Sequence, residues 1–124
     1  MPSDDDWYLA AAGPEKREYP WGNAEPDGER ANFNRDVGHT TPVGLFPNGG
    51  TLHGPRPVLD MAGNVWEWTA SNYDEVEKVK HKTLRGGAFG SGSRNLRAAA
   101  CGYVEPGGRY VKIGFRCLRE VSVP

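Results

Sequence analysis

The chain has 124 residues, with 15 Lys and Arg against 16 Asp and Glu for a net charge of −1. That length suits one domain, 1–124, and the charge balance argues against a nucleic-acid partner or a polybasic membrane contact. No stretch is apolar and long enough to span a bilayer, and residues 1–12 lack the basic start and apolar run of a signal peptide, so a cytoplasmic location is the default expectation.

Seventeen Gly and ten Pro make up more than a fifth of the chain, interleaved with aromatic residues. This composition predicts an ordered, loop-rich fold whose loops need fixing by ions, tryptophan packing or disulfides. With two cysteines and no export signal, Cys101 and Cys117 are expected as a reduced, buried pair.

Ser3 followed by Asp4, Asp5 and Asp6 predicts a helix start, a hydroxyl cap with acids where the helix dipole favours them. Trp7, Leu9, Ala10 and Ala11 continue the helix, and Gly13-Pro14 stops it. Residues 14–58 show little periodicity. Within them Tyr19–Asn23 reads as an aromatic turn, and Asn32, Phe33, Asn34, Asp36 and Gly38 gather oxygens that could hold a cation or simply make a turn. Thr41–Gly44 reads as a short edge segment and Pro47–Gly50 as a turn. So long a structureless run is usually ion-stapled or functional.

Asp60–Thr69, DMAGNVWEWT, is the organising stretch. Alternation puts Val65, Glu67 and Thr69 on one face of a strand and Trp66 and Trp68 on the other, and the tryptophan face is expected to be buried. Asp60 and Glu67, with the turn carbonyls of Gly63 and Asn64, then form a set of hard oxygens suited to Ca²⁺; incidental acids beside a tryptophan strand are the plain alternative.

Ser71–Thr83 is charged and reads as a solvated loop or exposed hairpin. Leu84–Phe89 begins a second core strand with a double Gly, and Gly90–Arg94 is a small-residue loop. Arg97–Ala100 returns to the core, Gly102–Val111 is a surface loop, and Ile113–Leu118 is the closing strand. The expected class is α+β, with one short helix, several short twisted antiparallel strands and long ordered loops. There is no CxxC, HExxH or P-loop, and His39, His53 and His81 are scattered away from any serine of nucleophile type.

The stretches MPSDDDWYLAAAG, YPWGN, ANF, TTPVGLFPNG, LDMAGNVWEWT, LRGGAF, RNLRAA and IGFRC, spread over nearly the whole chain, resemble the formylglycine-generating-enzyme (sulfatase-modifying factor) family. The fold that this resemblance implies is a variant of the C-type lectin fold. It also implies a central Ca²⁺ held by the Asp60 and Glu67 side chains and the Gly63 and Val65 carbonyls, with Val65 replacing Asn64. A second ion is implied near Asn32 and the Phe33 carbonyl, where Asp36 and Gly38 are candidate partners although their spacing departs from the family pattern by a residue.

Family members usually carry a comparable length of chain before the first helix. This sequence begins at that helix, with Met1 where the family has Leu. A minimal form, a fragment, or one chain of a two-chain or homo-oligomeric assembly would each read this way, and an exposed strand edge would invite the second chain. The oxidases of the family hold copper with two cysteines in the stretch matching Ala88–Leu96. Here that stretch contains none, so no copper is expected, since a Cu(I) site needs soft thiolates. The family's ergothioneine-type members place iron on a separate helical domain that this sequence lacks.

What remains is a surface. Loops 88–96 and 100–112 are expected to display Ser91, Ser93, Arg94, Tyr103 and Tyr110 to a protein, peptide or glycan ligand, with the adaptable composition of a paratope. In some relatives, the variable proteins of diversity-generating retroelements, these positions are diversified. Most of the loop residues here are reachable from an asparagine codon, but Glu105 and Lys112 are not unless their template codon was lysine, and an ordinary Gly-rich loop is the plain alternative. The expected function is a non-catalytic, Ca²⁺-stabilised lectin-like binding domain; the alternative is a formylglycine-generating oxidase, or a subunit of one completed by another chain.

Overall fold

The structure is a computed structural model, described here for residues 1–52, 56–73 and 80–119. Its one α-helix, α1 (Asp4–Ala12), forms as the sequence predicts. Ser3 accepts a hydrogen bond from the Asp6 amide and three acids fill the first turn. Gly13 ends the helix at φ +70°, in the left-handed region open to glycine, with its N–H donated to the Leu9 carbonyl.

Four strands make one sheet in the order β3-β2-β1-β4: β1 (Trp66–Asn72), β2 (Lys82–Arg85), β3 (Cys101–Val104) and β4 (Ile113–Gly114). β1–β2 and β2–β3 are antiparallel, with Trp68 opposite Leu84 and Leu84 opposite Gly102, whereas β4 runs parallel to β1. Short 3-10 turns at Pro47–Gly49 and Ser93–Leu96 punctuate the loops. The α+β class with short strands and long ordered loops is what the sequence predicts. Among the described residues no helix is long and apolar enough to cross a membrane.

The core lies largely outside the sheet, in two clusters. Trp7, Ala11, Ala12, Met61 and Ala98 pack beneath α1, and Tyr19, Trp21, Ala31, Phe33, Ala62 and Leu96 pack beneath the loops. The aromatic turn does anchor its loop: Tyr19 and Trp21 stack at 5.3 Å, and Tyr19 and Gly22 exchange backbone hydrogen bonds. The expected return of residues 97–100 to the core is made by Ala98 alone, beside the buried Leu96, with Arg97 and Ala99 exposed.

Several expectations are corrected. The buried face of β1 is Glu67 and Thr69, whereas Trp66 and Trp68 are half-buried. The reason is that α1 packs on the Glu67 side, where the Trp7 indole N–H meets the carboxylate; polar partners outweigh apolar area in choosing the inner face. Thr41–Gly44 is not a strand, because Thr41 pairs with the Asn64 side chain instead of a neighbouring strand. The second strand starts at Lys82 and stops at Arg85, since Gly86 and Gly87 both take positive φ. β3 occupies part of the presumed 102–111 loop, and only Ile113 and Gly114 of the closing segment are strand.

Cys101 and Cys117 are free and exposed, not a buried pair. Cys101 opens β3, at the sheet's edge, and Cys117 follows the end of β4. Tyr73 and His81 exchange the chain direction through a backbone hydrogen bond, as a hairpin requires; the charged segment 74–79 between them, and His53, lie outside the described residues.

Candidate functional site

Gly63 and Asn64 are the joint on which the loops hang. Gly63 sits at φ +80°, and a Cβ there would lie 2.4 Å from the Asn32 carbonyl oxygen, so only glycine permits this approach. Asn64 follows at φ +69° and donates its amide N–H to the same carbonyl. Its side chain pairs with the Thr41 backbone in both directions, with Oδ1 accepting from the Thr41 amide at 2.9 Å and Nδ2 donating to the Thr41 carbonyl at 3.3 Å. Its own carbonyl accepts from Phe89 N–H. One asparagine thus ties residues 32, 41 and 89 together, where the sequence offered it as a turn residue and a carbonyl ligand.

Beside this joint, Asp60, Gly63, Val65 and Glu67 line one cavity of about 380 Å³, together with Val43, Gly44, Leu59 and Phe115. Arg116 lines it too. Its Nε donates to Glu67 Oε1 at 2.6 Å, and its Nη2 donates to Glu67 Oε2 and to the carbonyls of Leu59 and Asp60. The Trp7 indole N–H adds the carboxylate's third hydrogen bond, on Oε1. Asp60 accepts from the Gly44 amide through Oδ2, and no hydrogen bond among the described residues ends on its other oxygen.

The four expected central ligands are therefore brought together, and the Asn64 carbonyl is taken by Phe89. No loop hydrogen bond among the described residues ends on the carbonyls of Gly63 or Val65. No three His, Cys, Asp or Glu side chains cluster among the described residues. A cation here would thus draw on backbone oxygens and share Glu67 with Arg116. The donor set is hard oxygen throughout and fits Ca²⁺ in kind.

The second expected ion site is marked by an orphan. Asn32 is buried at 2% exposure, and its Nδ2 donates to the His39 carbonyl, to Thr41 and to Asn64, but its Oδ1 is buried with no hydrogen-bond partner. A buried carbonyl oxygen left bare is costly, and a cation would satisfy it. Phe33 is adjacent, its carbonyl accepting from the Asp36 amide. Asp36 and Gly38 are exposed, on the loop that runs from Phe33 to His39.

Of the expected ligand-binding residues, Tyr103 and Tyr110 come together. They line a groove of about 360 Å³ with Trp66, Leu84, Gly102, Val104, Lys112 and Ile113, and both phenols are at least half exposed. Tyr73 stacks on Tyr103 at 4.6 Å and His81 meets it edge-on. Ser91, Ser93 and Arg94 lie on the separate 88–96 loop and do not line this groove. The Ser91 hydroxyl is used within that loop, accepting from the Ala88 amide at 2.9 Å. The half-buried Trp66 was assigned to the core by the sequence reading, and the groove shows it as a wall.

A model of the sulfatase-modifying factor enzyme 1-like domain matches residues 1–121. The chain is 33% identical over 146 residues to the inactive C-alpha-formylglycine-generating enzyme 2 of Bos taurus, covering all of this chain and 45% of that protein. It is 26% identical over 144 residues to hercynine oxygenase of Mycolicibacterium smegmatis, covering 98% of this chain and 33% of that protein. Among solved structures it is similar to Treponema denticola variable protein 1, with a TM-score of 0.73 at 21% identity over 93% of this chain and 45% of that one. The chain thus spans between a third and a half of these proteins. Its fold is the loop-rich, C-type-lectin-like α+β fold, and the chain belongs to the sulfatase-modifying factor family.

Proposed function

We propose that this chain is a non-catalytic, Ca²⁺-stabilised binding domain that presents loops 88–96 and 100–112 to a protein, peptide or glycan ligand. The observation that carries the reading is the aromatic groove lined by Trp66, Tyr103 and Tyr110. Exposed tyrosines on a rigid sheet supply contact area at low entropic cost. Ala88–Leu96 has no thiol to hold copper, and similarity to a protein named an inactive formylglycine-generating enzyme supports the non-catalytic part.

Ca²⁺ is held by Asp60, Gly63, Val65 and Glu67, and a second ion by the bare Asn32 Oδ1 with Phe33 and, less directly, Asp36 and Gly38. Bound there, it supplies charge neutralisation and loop stapling, not chemistry. Screening the protein against peptide and glycan arrays, beside Tyr110→Ala, is expected to yield ligands that need Tyr110. Binding indifferent to both Tyr103→Ala and Tyr110→Ala removes the groove from the reading. Given Cu(I) and a cysteine-containing sulfatase peptide, the protein is expected to form no aldehyde; turnover reverses the assignment.

Calcium is tested by melting in chelator and after re-addition. An ion at a hundredfold its Kd stabilises by about 2.7 kcal/mol, so an unchanged midpoint in chelator refutes it. Diversification of the loops predicts a near-copy of the Leu84–Arg116 coding segment, differing at adenines, in the adjoining DNA.

A further inference from the structure

Four arginines of the described chain meet carboxylates: Arg17 with Glu15, Arg30 with Asp27, Arg85 with Asp4 and Arg116 with Glu67. Two other cations do the opposite and converge on a residue with no side chain. Arg35 Nε and Lys112 Nζ each lie 3.7 Å from the point where a Cβ on Gly90 would sit. No carboxylate among the described residues lies within ion-pair distance of either. The nearest described partner of the lysine is the Phe89 ring, 5.9 Å from its ammonium.

Backbone hydrogen bonds place both residues beside that point. Asn34 and Arg35 take consecutive left-handed conformations, φ +57° and +59°, and donate their amides to the Ser91 and Phe89 carbonyls, which clamps the arginine against the 89–91 turn. Non-glycine residues in this region are uncommon and persist where the surroundings hold them. The Lys112 carbonyl accepts from Trp66 N–H and fixes the lysine at the entry to β4. Two like charges brought around an open point, in a chain with acids to spare, make a place for a negative group. Lys112 also lines the Tyr103–Tyr110 groove, so the two features adjoin.

We propose that Arg35 and Lys112, across Gly90, form an oxyanion subsite that receives a carboxylate, phosphate or sulfate group of the ligand. The proposal rests on the binding-face reading and deepens it by assigning the ligand's charge. An oxyanion in the Gly90 gap takes charge-assisted hydrogen bonds from the guanidinium Nε and from the ammonium, the guanidinium offering directional donors and the lysine a mobile point charge.

The test uses the full 124-residue protein and small anions, and so does not depend on knowing the ligand. Backbone and arginine side-chain NMR signals are followed during titration with sodium sulfate, and separately with sodium acetate, at constant ionic strength made up with chloride. Saturable shifts confined to Gly90, Arg35, Lys112 and their neighbours are expected. The arm with the tighter midpoint identifies a tetrahedral or a carboxylate group.

Gly90→Asp is the decisive variant. Gly90 has no positive φ and a Cβ there meets nothing closer than 3.7 Å, so the aspartate places its own carboxylate between the cations without strain. It is expected to weaken sulfate binding at least about tenfold, as losing a charged hydrogen bond does; Lys112→Ala is expected to do the same without adding an acid. Shifts that are linear, equal in chloride, or unchanged in both variants overturn the proposal. Those outcomes leave the groove reading standing, because that reading is decided by Tyr103 and Tyr110 on the arrays.

Discussion

The guanidinium of Arg116 and that of Arg35 do opposite work. Arg116 reaches from the end of β4 into a cavity wall, closes both oxygens of the buried Glu67 and takes two carbonyls besides. Arg35 is held in place by its backbone and left with an open position before it. Arg85 belongs with Arg116: it forks onto Asp4 with Nε and Nη2 and spends Nη1 on the Ala98 and Ala100 carbonyls, so it joins helix, strand and the returning segment. Lys112 belongs with Arg35. Charges that are paired and partly buried are part of the fold; exposed charges with no carboxylate partner among the described residues are available for something else.

Removing Glu67 breaks the first kind most severely. Glu67→Ala leaves Arg116 and the Trp7 indole N–H without their acceptor, and a buried pair that loses one member costs about 3–5 kcal/mol. Arg116 keeps 28% of its side-chain surface in water, so the loss is expected at the lower end, about 3 kcal/mol. Urea denaturation reads it directly. The double variant Glu67→Ala with Arg116→Ala should cost less than the two single losses combined, because no stranded charge remains. Additive losses would mean that the two side chains are not energetically paired.

These pairs explain what the sequence could and could not disclose. The helix was legible because its signals are local: Ser3 caps three residues ahead and Gly13 stops the chain where it stands. Asp60, Gly63 and Glu67 were legible as neighbours because they lie within one short stretch, whereas Val65 replaced Asn64 only through the family resemblance. Glu67 with Arg116 and Asp4 with Arg85 are separated by 49 and 81 positions, and nothing in either neighbourhood announces the partner. The inner face of β1 was misjudged for the same reason. Period-two alternation separates the faces, but which one is buried depended on Trp7, sixty residues away. β3 was missed because CGYV is short and glycine-interrupted, and it takes its register from β2.

Alkali separates the arginine pairs from the aromatic core. The hydrogen bonds that Arg85 donates to Asp4, with that carboxylate's charge, raise the pKa of Arg85 above its ordinary value against the opposing effect of burial. That pair is therefore fully present below the unfolded value and fades only above it. Tyr19 is the earlier casualty. Burial, then the negative charges of Glu25 and Glu18, raise its phenol above 10.0, with Arg97 opposing. Between its unfolded and folded pKa the native state holds a proton that the unfolded chain has released, so stability falls as pH rises through that window. Denaturation midpoints measured upward from pH 10 should fall more steeply for the natural chain than for Tyr19→Phe, which keeps the stacking on Trp21 and has no proton to lose. Equal slopes would show that the phenol reaches water in the folded state.

The smallest expected effect is the most discriminating. Lys112→Ala removes a cation with no carboxylate partner among the described residues, exposed and 5.9 Å from the Phe89 ring. Surface substitutions of this kind stay within about 0.5 kcal/mol, and relief of repulsion from Arg35 offsets the lost ring contact. The backbone carbonyl that receives Trp66 N–H is untouched, so the β1–β4 pairing survives. Urea midpoints for Lys112→Ala and the natural chain should coincide, in contrast to Glu67→Ala. A loss of more than about 1 kcal/mol would place Lys112 with Arg116, among the charges that hold the fold. Coincident midpoints, beside lost sulfate binding, put it among the charges kept for a ligand.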